Sequence, residues 1–227
     1  MDDADTRLHQ ELNSLAREDA LLGNPKAPLA QSNSDLPVDV SRLPDVWATS
    51  VVHRSLMHAI ECLRAAGQLL TTDHWLPAPF VLMRGAYESA ALAVWLLEPE
   101  APEDRLARLI AQHVDSWKYS EKAYRATSPD DDGIRDLRWQ EASQMGQSAG
   151  ISQSVTFPGF EKLIESVDDF PGRGESFLTA WQLCSGVSHA NTWALNQVTT
   201  REVNRVDQSE HLHLSARVPD RSLAISL

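Results

Sequence analysis

The sequence predicts an all-α protein: a helical bundle preceded by an N-terminal helical arm. Three observations carry that expectation. Apolar residues recur at three- and four-residue spacing along most of the 227 positions. Prolines and glycines fall between the periodic segments rather than inside them. Period-two alternation, the mark of a strand, shows at His211-Leu212-His213-Leu214, where no partner strand is evident.

The elements follow in order. Leu8, Leu12, Leu15 and Leu22 place one apolar stripe on a helix over 6–22, with charge on its other faces. Residues 1–23 therefore read as an amphipathic arm, stopped by Gly23 and Asn24. Pro25, Pro28, Pro37 and Pro44 among Ser, Asn and Asp make 24–44 a Pro-rich, extended linker. The bundle is expected over 45–200. Its first helix, about 45–71, carries Val52, Leu56, Ala59, Ile60, Leu63 and Leu70 on one stripe.

The second helix, 79–98, is apolar all round apart from Arg84, Glu88 and Ser89, which predicts a central helix covered on every side. Pro99 and Pro102 end it and start a third, 103–126, with Glu103 and Asp104 at the positive end of the helix dipole. Leu106, Leu109, Ile110, His113, Val114 and Trp117 form the inner face of that helix. Ser128-Pro129-Asp130 opens a weaker helix with Ile134, Leu137 and Met145, and 146–154 reads as a loop. Phe160, Leu163, Ile164 and Val167 define a short helix that Phe170-Pro171-Gly172 breaks. One last long helix is expected over 174–198, and 201–227 as an irregular tail.

Composition narrows the function. With 42% hydrophobic residues and seven tryptophans the chain can bury a sizeable core. A net charge of −12 repels phosphate backbones, and with four lysines no basic run offsets it, so nucleic-acid binding is disfavoured. Met1-Asp2-Asp3 is acidic and polar, unlike a signal peptide, and points to a cytoplasmic protein. Cys62 and Cys184 lie within apolar helical patterns and read as buried free thiols. The apolar stretch 80–97 has the length of a membrane span, yet Arg84 and Glu88 within it argue for a core helix and against membrane insertion.

Four residues stand out as candidates for chemistry. Arg84 and Glu88 lie four apart on one face of the most apolar helix, where an unpaired charge is costly. They form either a structural clamp or a site in which the arginine holds an anion. Ser185 and His189 also lie four apart, beside the small residues Gly186 and Ala190, and have the residue types of a nucleophile and its base. Two interior polar faces in one bundle most simply satisfy each other, so Arg84 and Glu88 are expected to meet Ser185 or His189. No paired Glu-x-x-His motif, no convergent ligand set around His211-x-His213 and no phosphate-cradling glycine loop is present, so neither a metal nor a cofactor is expected.

Three blocks resemble a group of bacterial helical proteins without an established activity: Arg84-Gly85-Ala86-Tyr87-Glu88-Ser89-Ala90, Val94-Trp95-Leu96-Leu97-Glu98-Pro99 and Ser185-Gly186-Val187-Ser188-His189-Ala190. That resemblance covers about residues 53–196. More remotely, the Arg-x-x-x-Glu helix and the late-helix histidine resemble HEPN-type bundles, which include metal-independent ribonucleases as well as binding modules. The HEPN nuclease motif is Arg, four to six residues, then His. No arginine precedes His189 at that distance, Arg173 being too far, whereas Arg108–His113 and Arg205–His211 have roughly the spacing. Two functions follow. One is a non-catalytic module that binds a partner chain or small ligand, with the arm joining it to a second copy as a homo-oligomer. The alternative is a hydrolase or HEPN-like ribonuclease built on Arg84, Glu88, Ser185 and His189.

Overall fold

The computed structural model describes residues 13–17, 35–43, 48–70, 77–125, 132–151, 155–167, 176–198, 200–206 and 212–217, with single positions 6, 10 and 20. It is an all-α helical bundle, with a short hairpin near its C-terminal end. In chain order the helices are α1 (Leu36–Arg42), α2 (Ala48–Leu70), α3 (Ala78–Leu97), α4 (Pro102–Arg125), α5 (Asp132–Ser148), α6 (Phe160–Ser166), α7 (Phe177–Ser188) and α8 (Thr192–Val198). Strands β1 (Thr200–Val206) and β2 (Leu212–Arg217) follow. The described positions of the arm are helical, with Leu15 half-buried; Leu8, Leu12 and Leu22 lie outside the described residues.

The chain divides into two compact units. One comprises Met1–Asn24, Met57–Ala90 and Asp168–Leu227, and the other Pro25–Leu56 and Ala91–Val167. In the first unit Tyr87 meets Phe177 edge to face at 5.2 Å between ring centroids, and Cys184, Ala194 and Val198 are fully buried. In the second, Trp95, Phe157 and Phe160 form a chain of edge-to-face rings 5.7 and 5.5 Å apart. Leu106, Leu163 and Ile164 fill the core of that unit.

Five expectations need correction. The stretch 24–44 is not an extended linker throughout, because Leu36–Arg42 is helical. Pro37 sits in the first turn, where its missing N–H costs nothing. Arg105 anchors the helix: Nε donates to Asp39 Oδ2 at 2.7 Å, Nη2 to Asp39 Oδ1 at 3.3 Å, and Nη1 to the carbonyls of Pro99 and Glu100 at 2.9 and 2.7 Å. Arg42 adds a bond to Glu103 at 2.8 Å and one to the Ala149 carbonyl at 2.5 Å.

The helix expected over 174–198 is two helices. At the end of α7, Ala190 N–H bonds to Val187 O and Asn191 N–H to Gly186 O, both at 2.9 Å, with Ala190 at φ 54°. This is the paired closure that ends many helices, with alanine where glycine is usual. Asn191 then starts α8 by accepting from Leu195 N–H at 3.0 Å. In turn, α5 continues through Gly146 to Ser148, a stretch expected as loop, and closes in the same way with Gly150 at φ 71°.

The tail is not irregular throughout. β1 and β2 pair antiparallel, from Thr200 opposite Arg217 to Val206 opposite Leu212, with a register shift between Val203 and Arg205. The strand seen at 212–214 thus has a partner, which the single valine pair of 200–206 did not announce. Finally, α3 is not covered on every side: Val81 is 48% exposed and Leu97 is exposed too. It is long and apolar enough to cross a membrane, yet Phe80, Met83, Ala86, Ala91, Ala93 and Leu96 are buried within the protein, as in a core helix. The breaks expected at Ser128-Pro129-Asp130 and Phe170-Pro171-Gly172 lie outside the described residues.

Candidate functional site

The first unit brings three of the four candidate residues together. Arg84 Nε donates to Glu88 Oε1 at 2.8 Å along α3. Its Nη1 meets His189 Nε2, at the C-terminal cap of α7, at 2.9 Å. A guanidinium has no acceptor, so the ring nitrogen accepts, which places the imidazole proton on Nδ1. Trp181 Nε1 donates to Glu88 Oε1 at 3.1 Å. Helical spacing explains the convergence. Arg84 and Glu88 are one turn apart, Trp181 lies two turns before His189, and each pair therefore presents a common face.

Ser185 is not part of this network. Its carbonyl accepts from His189 N–H at 3.1 Å, but among the described residues its hydroxyl makes no hydrogen bond. The neighbouring Ser188 hydroxyl donates back to the Cys184 carbonyl at 2.7 Å. A serine nucleophile needs the basic ring nitrogen, and here Arg84 occupies it. Nor is the network sealed in the core: the Arg84 and Glu88 side chains are 29% and 18% exposed, and His189 is exposed. The turn that exposes His189 is the helix break at Ala190.

A second polar contact went unread in the sequence. His58 Nδ1 and Ser89 Oγ share a hydrogen bond of 2.7 Å, and His58 Nε2 lies 3.7 Å from Cys62 Sγ. Gly85 lies against this pair, and a Cβ there would be in ordinary contact, 3.4 Å from Cys62 Sγ and 3.5 Å from His58 Cε1. The signal was available: His58 and Cys62 on α2, and Gly85 and Ser89 on α3, are both i,i+4 pairs. Burial is the first cause raising the Cys62 thiol above its ordinary range, and Glu61 adds to it, so this thiol is no activated nucleophile. The motif pair Arg108 and His113 is also drawn apart. Arg108 donates to the Trp95 carbonyl at 2.6 Å and to Glu98 at 2.9 Å and lies over the Trp95 ring, while the His113 ring stacks with Trp117. Among the described residues, no three His, Cys, Asp or Glu side chains are grouped to hold a metal ion.

The second unit contains a cavity of about 510 Å³. Ala107, Ala111, Val114 and Lys118 line it from one face of α4, at helical spacing. Ala142, Ser143, Gly146 and Gln147 line it from α5. Ile151, Val155, Thr156 and Phe157 close it from the segment after α5. Small residues facing each other ordinarily let two helices close up; here the space between them stays open. Gly146 is the telling position. No positive φ and no close neighbour demands a glycine there, and a Cβ would meet nothing within 4 Å. A glycine inside a helix costs about 1 kcal/mol relative to alanine, and no contact here requires it.

No protein-family model, no curated protein and no solved structure matches the chain.

Proposed function

We propose that the protein is a non-catalytic helical module that binds a small, largely apolar ligand in the cavity between α4 and α5. The cavity itself carries this reading. Its volume lies in the range of small-molecule sites, roughly 300–1,000 Å³, and its wall is apolar with a few polar groups, as such sites are. The arrangement in the first unit supports the non-catalytic half. There the Arg84 network joins α3 to the end of α7, and the candidate serine and histidine do not form a pair. The free, buried state of both cysteines accords with a reducing, cytoplasmic setting.

The test is a titration with a neutral fluorescent probe such as N-phenyl-1-naphthylamine. Saturable binding at one site is expected in the wild type. Gly146→Leu should intrude on the cavity from α5 and weaken binding, while the better helix former keeps or raises the thermal midpoint. Absence of saturable binding, or binding that Gly146→Leu leaves unchanged, overturns the proposal.

A further inference from the structure

We propose, resting on the reading of the cavity as a ligand site, that its ligand is an amphipathic monocarboxylate. An aliphatic chain fills the space between α4 and α5, and the carboxylate lies against Lys118 Nζ. Among the described residues that line the cavity, Lys118 is the one charged side chain; the other polar members, Ser143, Gln147 and Thr156, are neutral hydrogen-bonding groups. The lysine is not committed elsewhere in the wall. Its contact with Asp115 is 3.6 Å long and half-exposed, too long for a good hydrogen bond, so its ammonium protons remain to be offered.

The number of charges selects the head group. Among the described lining residues one ammonium stands with neutral donors, and its long contact with Asp115, outside the lining, already offsets part of that charge, so the head group it takes carries no more than one negative charge. A phosphate ester carries nearly two, and arginine forks or a second cation usually hold it. Neither is among the described lining residues, and the net charge of −12 disfavours a dianion further. The tail is selected by the walls. Ile110, Val114, Ile151 and Val155 are branched aliphatic surfaces set against small Ala107 and Ala111, which suits a flexible chain.

Calorimetric titration of the full chain with hexanoate, octanoate and 1-octanol separates the claims. Each added methylene should tighten binding about fourfold, the transfer free energy of a buried CH₂ expressed as affinity. Lys118→Met should weaken octanoate about fivefold, the scale of a half-exposed ion pair, and leave 1-octanol unchanged. Gly146→Leu should weaken binding of both alike. If Lys118→Met leaves octanoate unchanged, or weakens both compounds alike, the carboxylate assignment is overturned. The cavity reading then stands, provided Gly146→Leu still weakens binding of both. If neither compound binds, or both bind the Gly146→Leu protein as tightly as the wild type, the carboxylate assignment and the cavity reading fall together.

Discussion

Removing the Asp39 carboxylate strands the most deeply buried cation described in the protein. The Arg105 and Asp39 side chains are 7% and 3% exposed, and two guanidinium nitrogens reach the same carboxylate. Hydrogen bonding to Asp39 is the main cause that raises Arg105 above the ordinary guanidinium range, against the opposing effect of its own desolvation. In Asp39→Ala the guanidinium keeps two carbonyl acceptors and the exposed Asp35, 3.3 Å away. Breaking one side of a buried pair costs about 3–5 kcal/mol, and the remaining acceptors put this case near 3. With a urea m-value of about 2 kcal/mol/M, the unfolding midpoint followed by circular dichroism should fall by about 1.5 M. Replacing both partners, Asp39→Leu with Arg105→Met, should cost less than the single change because no charge is stranded. A loss under about 1 kcal/mol in Asp39→Ala, or a double variant less stable than the single one, would refute the reasoning.

Three further predictions address the first unit. Glu88→Ala frees both Arg84 and the indole N–H of buried Trp181 and should lower stability by about 1–3 kcal/mol in chemical denaturation; Trp181→Phe, which removes one neutral donor, should cost about 1. At the α7–α8 corner the two small residues should respond with opposite signs. A Cβ on Gly186 would lie 2.6 Å from Ala194 Cβ and 2.8 Å from Trp193 Cζ2, so Gly186→Ala should lower the thermal midpoint. Ala190→Gly relieves a left-handed alanine and should raise stability by about 1 kcal/mol. Burial pushes the Cys184 thiol up to about 12 from an ordinary value of 9.0. The folded state thus holds that proton more tightly than the unfolded chain. The associated stability is complete below about pH 9 and declines as pH rises toward 12. Cys184 should therefore resist alkylation at about pH 8 until the protein is unfolded, which mass spectrometry of iodoacetamide-treated protein checks.

Helical periodicity made the bundle legible, because burial imposes the 3.6-residue repeat on the sequence itself. α2, α3, α4 and α6 all stand close to where their apolar stripes put them. The pairing of Arg84 with Glu88 and with His189 was legible for the same reason: an outlying charge on an apolar face needs a partner. Its depth was not. The α7–α8 break lifts His189 to the surface, and the residues that make it, Ser188, Ala190 and Asn191, lie within a continuous apolar pattern. Arg105 was readable in principle, since it stands four residues before Leu109 on the buried stripe of α4. Its partner was hidden in a proline-rich stretch whose composition resembles a linker. Similarly, the cavity leaves no motif. Alanines and a glycine at helical spacing ordinarily announce close packing, and only the three-dimensional arrangement tells a closed contact from an open one.

The central claim is that the space between α4 and α5 receives a ligand. Methyl-resolved NMR of the wild-type protein titrated with 1-octanol tests it directly, without reference to a head group. The methyl signals of Ile110, Val114, Ile151 and Val155 should shift together and saturate with a single dissociation constant. Those of Leu163 and Ile164, buried in the same unit but absent from the cavity wall, should stay in place. Shifts that never saturate, or that fall on Leu163 and Ile164 as strongly as on the cavity wall, would contradict the account.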